Sequence, residues 1–346
     1  MGKAVLPLRE LLAILKATKE KSLALLAICS AKTARIDVTG EQEKYALEAP
    51  ASADEFPDVI PFQSKAYHEF PVGDFQAALQ RTIVAAEKPE TSNFTSYRPI
   101  FSGVCFGQAS KAGVVDVVAT DGRRMAWQTL RGKCIEKHTI PQSSVVPQKP
   151  LNLLGKVLKE IACPDCDAVK MVITPADKKY SPASVCFYVA GVTIHSALMN
   201  QGKFPEWRSI CTVDKETPHI ILNPSDVPPV LDRLTIAAKL KKEAKLTICI
   251  GNNGLTFVTD AGGTKSSVVC PTAGSCPQDF NGTFMVDLAN FLLGMKAVQQ
   301  AGTEAPITMY VHIEVNPLDT KPERSITVLL KSPQKGYSYV MMADDP

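Results

Sequence analysis

The sequence predicts an α+β chain assembled from one small unit used five times, an amphipathic helix trailed by short antiparallel strands. Three observations lead there. Apolar residues recur at helical spacing in five separate stretches, and the segments between them are rich in Val, Ile, Thr and Phe. Strands also come in runs after single helices instead of alternating with them, which disfavours a doubly wound parallel sheet. Helix starts recur roughly every 60 to 80 residues, too far apart for a solenoid repeat. Five is an odd number for an architecture that pairs such units.

The first helix is expected near Leu8 to Lys19, with Leu8, Leu11, Leu12 and Leu15 on one face. The second covers about Gly73 to Ala86, opened by Pro71-Val72-Gly73-Asp74. The third spans about Pro150 to Ile161, apolar at Leu151, Leu154, Val157 and Leu158. A fourth opens at Asn223-Pro224-Ser225-Asp226, a good N-terminal signal, and runs to about Lys242; the fifth covers about Val286 to Gln299. Strands are expected at Ala34 to Val38, Val114 to Ala119, Met171 to Thr174, Val185 to Ile194, Leu246 to Ile250, Leu255 to Thr259 and Ile326 to Leu330. Asn252-Asn253-Gly254 reads as a hairpin turn.

A chain of 346 residues exceeds the usual limit of a single core. Linkers are expected at Pro57 to Glu69 and at Thr212 to Pro218, so the units divide as one, two and two, in domains 1–64, 65–214 and 215–346. The apolar share of 45% and charged share of 21% exclude a disordered chain. A net charge of +3 excludes a nucleic-acid binder built on overall charge, but leaves room for a basic stripe on one face. No stretch approaches the roughly 20 apolar residues needed to cross a bilayer. Leu23 to Cys29 is too short and no secretory cleavage pattern accompanies it, so a cytoplasmic protein is expected.

The ten cysteines are scattered, several inside apolar strand-like runs (Cys105, Cys186, Cys249), and are read as buried free thiols. Only Cys163-Pro164-Asp165-Cys166 has metal-ligand spacing, and no second pair of comparable spacing stands nearby (five residues separate Cys270 and Cys276). The five histidines show no HExxH, and neither a GxSxG nor a P-loop context is present. His195 alternates on a strand, where a structural role is expected. No cofactor, no metal and no catalytic activity are expected.

Several collinear segments carry a resemblance. They are Arg98-Pro99-Ile100-Phe101-Ser102-Gly103-Val104, Val118-Ala119-Thr120-Asp121-Gly122-Arg123-Arg124-Met125-Ala126, Val146-Pro147-Gln148-Lys149, Gly202-Lys203-Phe204-Pro205-Glu206-Trp207-Arg208 and Tyr339-Val340-Met341-Met342. Upstream stand Tyr45-Ala46-Leu47 and Asp54-Glu55-Phe56-Pro57. In this order and spacing the chain resembles the beta subunit of bacterial DNA polymerase III, the beta sliding clamp, over nearly its whole length. That family builds each domain from two helix-plus-strands units, with helices inside a ring and sheets outside, so five units here match it without the N-terminal half of its first domain.

The resemblance implies a non-catalytic processivity factor for DNA replication, a homodimer that encircles duplex DNA and tethers polymerase and clamp-loader subunits through short linear peptides. An alternative is a truncated clamp-like peptide-binding regulator that does not encircle DNA. A peptide pocket is implied at Phe101, Thr120, Gly122, Arg123, Arg124, Met125, Pro205, Ile210, Leu288, Val340 and Met342. Their chemistry suits it: methionines adapt to several partners, Gly122 lets a backbone approach, and Arg124 can donate to peptide carbonyls. The DNA-facing positions implied are Arg98, Lys149, Arg81, Lys156, Lys159, Arg233 and Lys296, making non-specific backbone contacts. Lys44, Tyr45 and Leu47, facing Ala237 and Ala238, are implied at the dimer interface. Two departures from the family pattern are the tail Ala343-Asp344-Asp345-Pro346 and Ser209 where a basic residue is common. The two acids are expected to disfavour acidic peptides.

Overall fold

A computed structural model describes residues 5–29, 34–48, 62, 64–88, 98–109, 111–141, 143–160, 168–176, 182–213, 217–240, 244–251, 254–261, 264–272, 282–301, 305–315, 324–332 and 336–344. The chain divides into two compact units, Met1–Pro61 and Phe62–Pro346. No described helix is long and apolar enough to cross a membrane.

The first unit is a single helix on a small sheet. Helix α1 (Leu8–Ala17) precedes β1 (Ala24–Cys29), β2 (Ala34–Thr39) and β3 (Lys44–Glu48), which pair antiparallel in that order. Its core is small: Leu11 and Ile14 of the helix meet Ile36 and Val38 of β2, with Leu23 and Leu47 packed at the margin.

The second unit repeats one module four times, and each copy begins with a strand ahead of its helix. The first has β4 (Tyr67–Pro71), α2 (Val72–Ile83), β5 (Gly103–Gln108), β6 (Val114–Thr120) and β7 (Arg124–Arg131), followed by the short β8 (Lys133–Ile135). The second has β9 (Ser144–Pro147), α3 (Gln148–Glu160), β10 (Ala168–Thr174), β11 (Ser184–Val189) and β12 (Val192–Ala197). After a five-residue helix α4 (Trp207–Cys211), the third has β13 (His219–Leu222), α5 (Val227–Leu240), β14 (Lys245–Gly251), β15 (Gly254–Ala261) and β16 (Thr264–Cys270). The fourth has β17 (Gly282–Asp287), α6 (Leu288–Ala301), β18 (Ile307–Val315), β19 (Arg324–Ser332) and β20 (Tyr337–Ala343).

Modules pair by exchanging their leading strands. β4 pairs with β10 of the second module, and β9 returns to β5 of the first. The third and fourth repeat the exchange, β13 on β18 and β17 on β14. Helices pair accordingly, α2 on α3 and α5 on α6. The two pairs are then fused edge to edge, because β20 pairs with β7 in a continuous sheet ordered β13-β18-β19-β20-β7-β6-β5-β9.

Local chemistry explains the helix starts. Asp287 caps α6, its carboxylate accepting the Asn290 backbone N–H at 2.8 Å. Pro228 and Pro229 fall in the first turn of α5, where their missing N–H groups are not needed. The strand expected at Val185 to Ile194 is two strands, because Ala190 and Gly191 both take positive φ (48° and 79°) and turn the chain back as a hairpin. The linker expected at Pro57 to Glu69 ends inside β4. The Asn252-Asn253-Gly254 turn and the Cys163–Cys166 pair fall on positions outside the described residues, apart from Gly254. Cys105 is buried, but Cys186 and Cys249 are only partly so, being on the less covered faces of their strands.

Candidate partner-binding and DNA-facing surfaces

The fused sheet is covered on both faces where the two module pairs meet. Strands β5, β6 and β20 are buried at nearly every position, whereas β10 and β11 alternate. One face carries the helices and the large core, including Phe106, Val117, Ala126 and Tyr339. The other carries a second core of Ile100, Phe101, Cys105, Val118, Met125, Val145, Phe204, Trp207, Cys211, Leu329 and Val340. Its cover is the segment Phe204–Cys211, which ends in α4, together with the 3-10 turn Pro99–Ser102. An ion pair pins that cover: Arg208 Nη2 meets the buried Asp116 carboxylate at 2.5 Å, and the same carboxylate accepts Trp127 Nε1–H at 3.0 Å.

At the seam the β6–β7 turn is held from within. Thr120 Oγ1 accepts the Gly122 N–H at 3.0 Å and donates to the Arg124 carbonyl at 2.7 Å. Asp121 Oδ1 accepts the N–H groups of Arg123 and Arg124, each at 2.9 Å. Gly122 takes φ +88°, a conformation that favours glycine, and a Cβ there would crowd the Phe101 ring at 3.2 Å. The last strand docks on this turn. Val340 lies opposite Met125, Met341 opposite Arg124, and the Met342 N–H donates to the Arg123 carbonyl at 2.9 Å.

The structure therefore brings together most of the positions implied for a peptide pocket. Phe101, Met125 and Val340 share the second core, and Thr120, Gly122, Arg123 and Arg124 form the turn. Met342, two residues beyond Val340, shares its face and is 55% exposed; Ile210 on α4 is exposed and Pro205 half-buried. Two positions differ from expectation. Leu288 is buried in the helix-side core at the start of α6, because the Asp287 cap turns it inward. Arg124 is mostly buried with two of its donors in use, Nε on Asp121 at 2.9 Å and Nη1 on Asn290 at 2.6 Å, so it ties the turn to α6. Burial pushes the neighbouring Tyr339 hydroxyl up to about 12, against the pull of Arg124.

In the tail, Asp344 makes an exposed ion pair with Lys245 and exchanges backbone hydrogen bonds with Met285. Asp345 and Pro346 lie outside the described residues. Ser209 caps locally, donating to the Glu206 carbonyl.

Among the implied DNA-facing positions, Arg98, Lys149, Lys156, Lys159, Arg233 and Lys296 are exposed, five of them on helices α3, α5 and α6. Arg81 is engaged within the chain. Its Nη2 donates to the Gln300 carbonyl at 2.7 Å and its Nη1 to Gln128, so it joins α2 to the C-terminal end of α6. Burial lowers its pKa. At the implied dimer interface, Lys44 and Tyr45 are exposed on β3, an open sheet edge among the described residues, while Leu47 packs partly on the first unit's core. The side chains of Ala237 and Ala238 lie outside what is described. Among the described residues no group of three or more His, Cys, Asp or Glu could hold a metal ion.

Sequence reasoning missed Asn290 and the open edge β16 with its exposed Val269. The Phe204–Trp207 pair was visible as a motif, but its role as the cover of a second core needed the fused sheet to be seen.

No protein-family model matches the chain, and no curated protein matches it in sequence. Solved structures do match. The beta subunit of DNA polymerase from Streptococcus pyogenes aligns with TM-score 0.73 and 14% identity, over 99% of this chain and 81% of that one. The chain has the sliding-clamp fold. A sliding clamp from Bacillus subtilis aligns with TM-score 0.70 and 16% identity, over 98% of this chain and 78% of its own. A Pseudomonas aeruginosa sliding clamp, solved bound to griselimycin, gives TM-score 0.70, 16% identity and coverage of 98% and 80%. The expected α+β clamp architecture is thus the one found, and these structures match its fold at low identity.

Proposed function

We propose that this protein is a DNA sliding clamp, a non-catalytic processivity factor that encircles duplex DNA and tethers polymerase and clamp-loader subunits by short peptides. The observation that carries the reading is the β7–β20 seam, where a rigid turn, an exposed methionine and an apolar second core lie side by side. Such a site suits an extended peptide with bulky apolar anchors, since Met342 and Ile210 offer unfilled apolar surface beside the Arg123 turn. Exposed lysines and arginines on α3, α5 and α6 outnumber the acids there, which suits weak, salt-dependent contact with phosphates. Ring closure is assigned to the two open strand edges, β3 with Lys44 and Tyr45 and β16 with Val269, as a homodimer.

The peptide site is tested by titrating a labelled peptide carrying a glutamine and two bulky apolar residues. Met342→Ala and Ile210→Asp should each weaken binding at least about tenfold, near 1.4 kcal/mol. Griselimycin, which binds a clamp of this fold, should compete. Unchanged affinity in both variants would remove the site from the seam.

A further inference from the structure

Of the fifteen large apolar side chains exposed among the described residues, eight lie in the first unit, which holds only the first 61 of 346 residues. A surface this rich in apolar groups marks an interaction site. Strand β1 is its sharpest part. It has the sequence Ala-Leu-Leu-Ala-Ile-Cys and pairs on one side with β2, leaving its other edge open among the described residues. Leu25 lies opposite Val38, on the side that faces α1, and is 51% exposed. Leu26 and Ile28, on the reverse side, are 61% and 50% exposed. The strand carries no charge and no proline, and its register with β2 runs without a bulge. Those are the features by which open edges are ordinarily kept from pairing.

Charge at this edge is one-sided. Lys16 in the last turn of α1, with Lys19 and Lys21 in the connection to β1, is exposed, as are the other two. None of the three has an ion-pair partner among the described residues. The neighbouring acid is spent elsewhere: the Glu20 carboxylate accepts the Glu41 and Gln42 backbone N–H groups at 2.7 and 2.8 Å. Glu10 stands in the first turn of α1, at the other end of the helix.

We propose that the β1 edge takes up an extended segment of a partner protein as a further strand, with apolar side chains on both faces and acidic residues where it meets Lys16, Lys19 and Lys21. An added strand fits better than a lipid surface. A flat bilayer reaches one face of β1, whereas a strand covers Leu25 on one side and Leu26 and Ile28 on the other, and takes up the free backbone groups. Backbone pairing then supplies affinity, and the three lysines select acidic over basic partners. This is the opposite edge of the sheet from β3, to which ring closure is assigned, and it holds whether or not the chain encircles DNA.

The test titrates the full chain with a labelled peptide in which a run of valine and leucine is flanked by glutamates at both ends. One counterpart carries lysines for the glutamates, another prolines at two central positions. At low salt the glutamate peptide should bind at least about tenfold more tightly than the lysine peptide, and the proline peptide should not bind. Hydrogen–deuterium exchange should show the amides of residues 24–29 protected in the complex. Leu26→Gln with Ile28→Gln should weaken binding at least about tenfold. Lys16→Glu, Lys19→Glu and Lys21→Glu together should reverse the preference toward the lysine peptide, a gain that unfolding cannot mimic. Equal affinity for the two charged peptides, or binding retained by the proline peptide, overturns the proposal. So does protection at 24–29 that rises with the concentration of the chain alone, which would put a second copy on the edge. Failure to bind any of the peptides, with or without binding to phosphatidylserine vesicles, overturns it too.

Discussion

Helices α1 and α6 carry the same apolar spacing and meet opposite fates. Leu288, Phe291, Leu292 and Met295 of α6 are closed over by α5, by β20 and by its own sheet, and a Cβ on Gly294 would stand 2.3 Å from the Tyr339 ring. The matching stripe of α1 keeps two positions in a core of four buried residues and presents three to solvent. An amphipathic pattern therefore says that a face will be covered, and says nothing about which chain covers it. In the second unit the cover comes from a sister module through the exchanged strands.

The comparison breaks most visibly under truncation. Phe291→Ala should cost about 4 kcal/mol by chemical denaturation, the range for a large aromatic removed from a tight core. Leu12→Ala should cost under about 0.5 kcal/mol in dilute protein, where its stripe is uncovered. Equal losses would mean that α1 is covered as fully as α6.

Acid sharpens it at the exchanged strands. His68 of β4 is buried against Phe70, its Nδ1 lying 2.9 Å from His138 Nδ1, and burial with the neighbouring imidazole pulls its pKa down to about 4. The unfolded chain, with an ordinary value near 6.5, binds the proton first. Stability is therefore fully present above about pH 6.5 and declines as pH falls toward 4, by up to about 3 kcal/mol. His138, also lowered by burial, adds in the same direction. His68→Phe should flatten this part of the melting profile. A slope unchanged by the substitution would place the acid sensitivity elsewhere.

Smaller effects follow on the other face of the sheet. Arg208→Ala should cost about 2 kcal/mol, less than a fully buried pair because the guanidinium is partly exposed while Asp116 keeps Trp127 as a donor. It should also weaken peptide binding by loosening α4. Ala190→Gly should stabilise by about 1 kcal/mol, since alanine is held at φ 48° in the β11–β12 hairpin. Thermal melts of both variants check these values.

What could be read from the sequence was whatever repeats with a local period. All five long helices were placed by apolar spacing to within a few residues, but among the longer strands Thr264–Cys270 and Ile307–Val315 were not read. Nor were the leading strands. His219–Leu222 and Ser144–Pro147 are four residues long, and Tyr67–Pro71 sits in a stretch that reads as linker, so none of the three gives a periodic signal, and their pairing is non-local. The turn Thr120–Met125 and the final strand were legible as motifs. That Arg81 and Arg124 serve as ties to α6 was not, because a basic residue on a helix or turn looks the same whether it faces solvent or a carbonyl from a distant module. The burial of Leu288 was not legible for the converse reason: an apolar residue at a helix start shows no preference for core or surface until its packing is known.

The central claim, that the chain encircles duplex DNA, is tested most directly by topology. Purified protein is incubated with nicked circular duplex and a clamp loader, separated from free protein in high salt, and the circle is then cut once. The clamp account predicts that protein stays with the intact circle at a salt concentration that abolishes backbone contact, and is shed when the ends are freed. Retention that is absent on circles, or that survives linearisation unchanged, would contradict it.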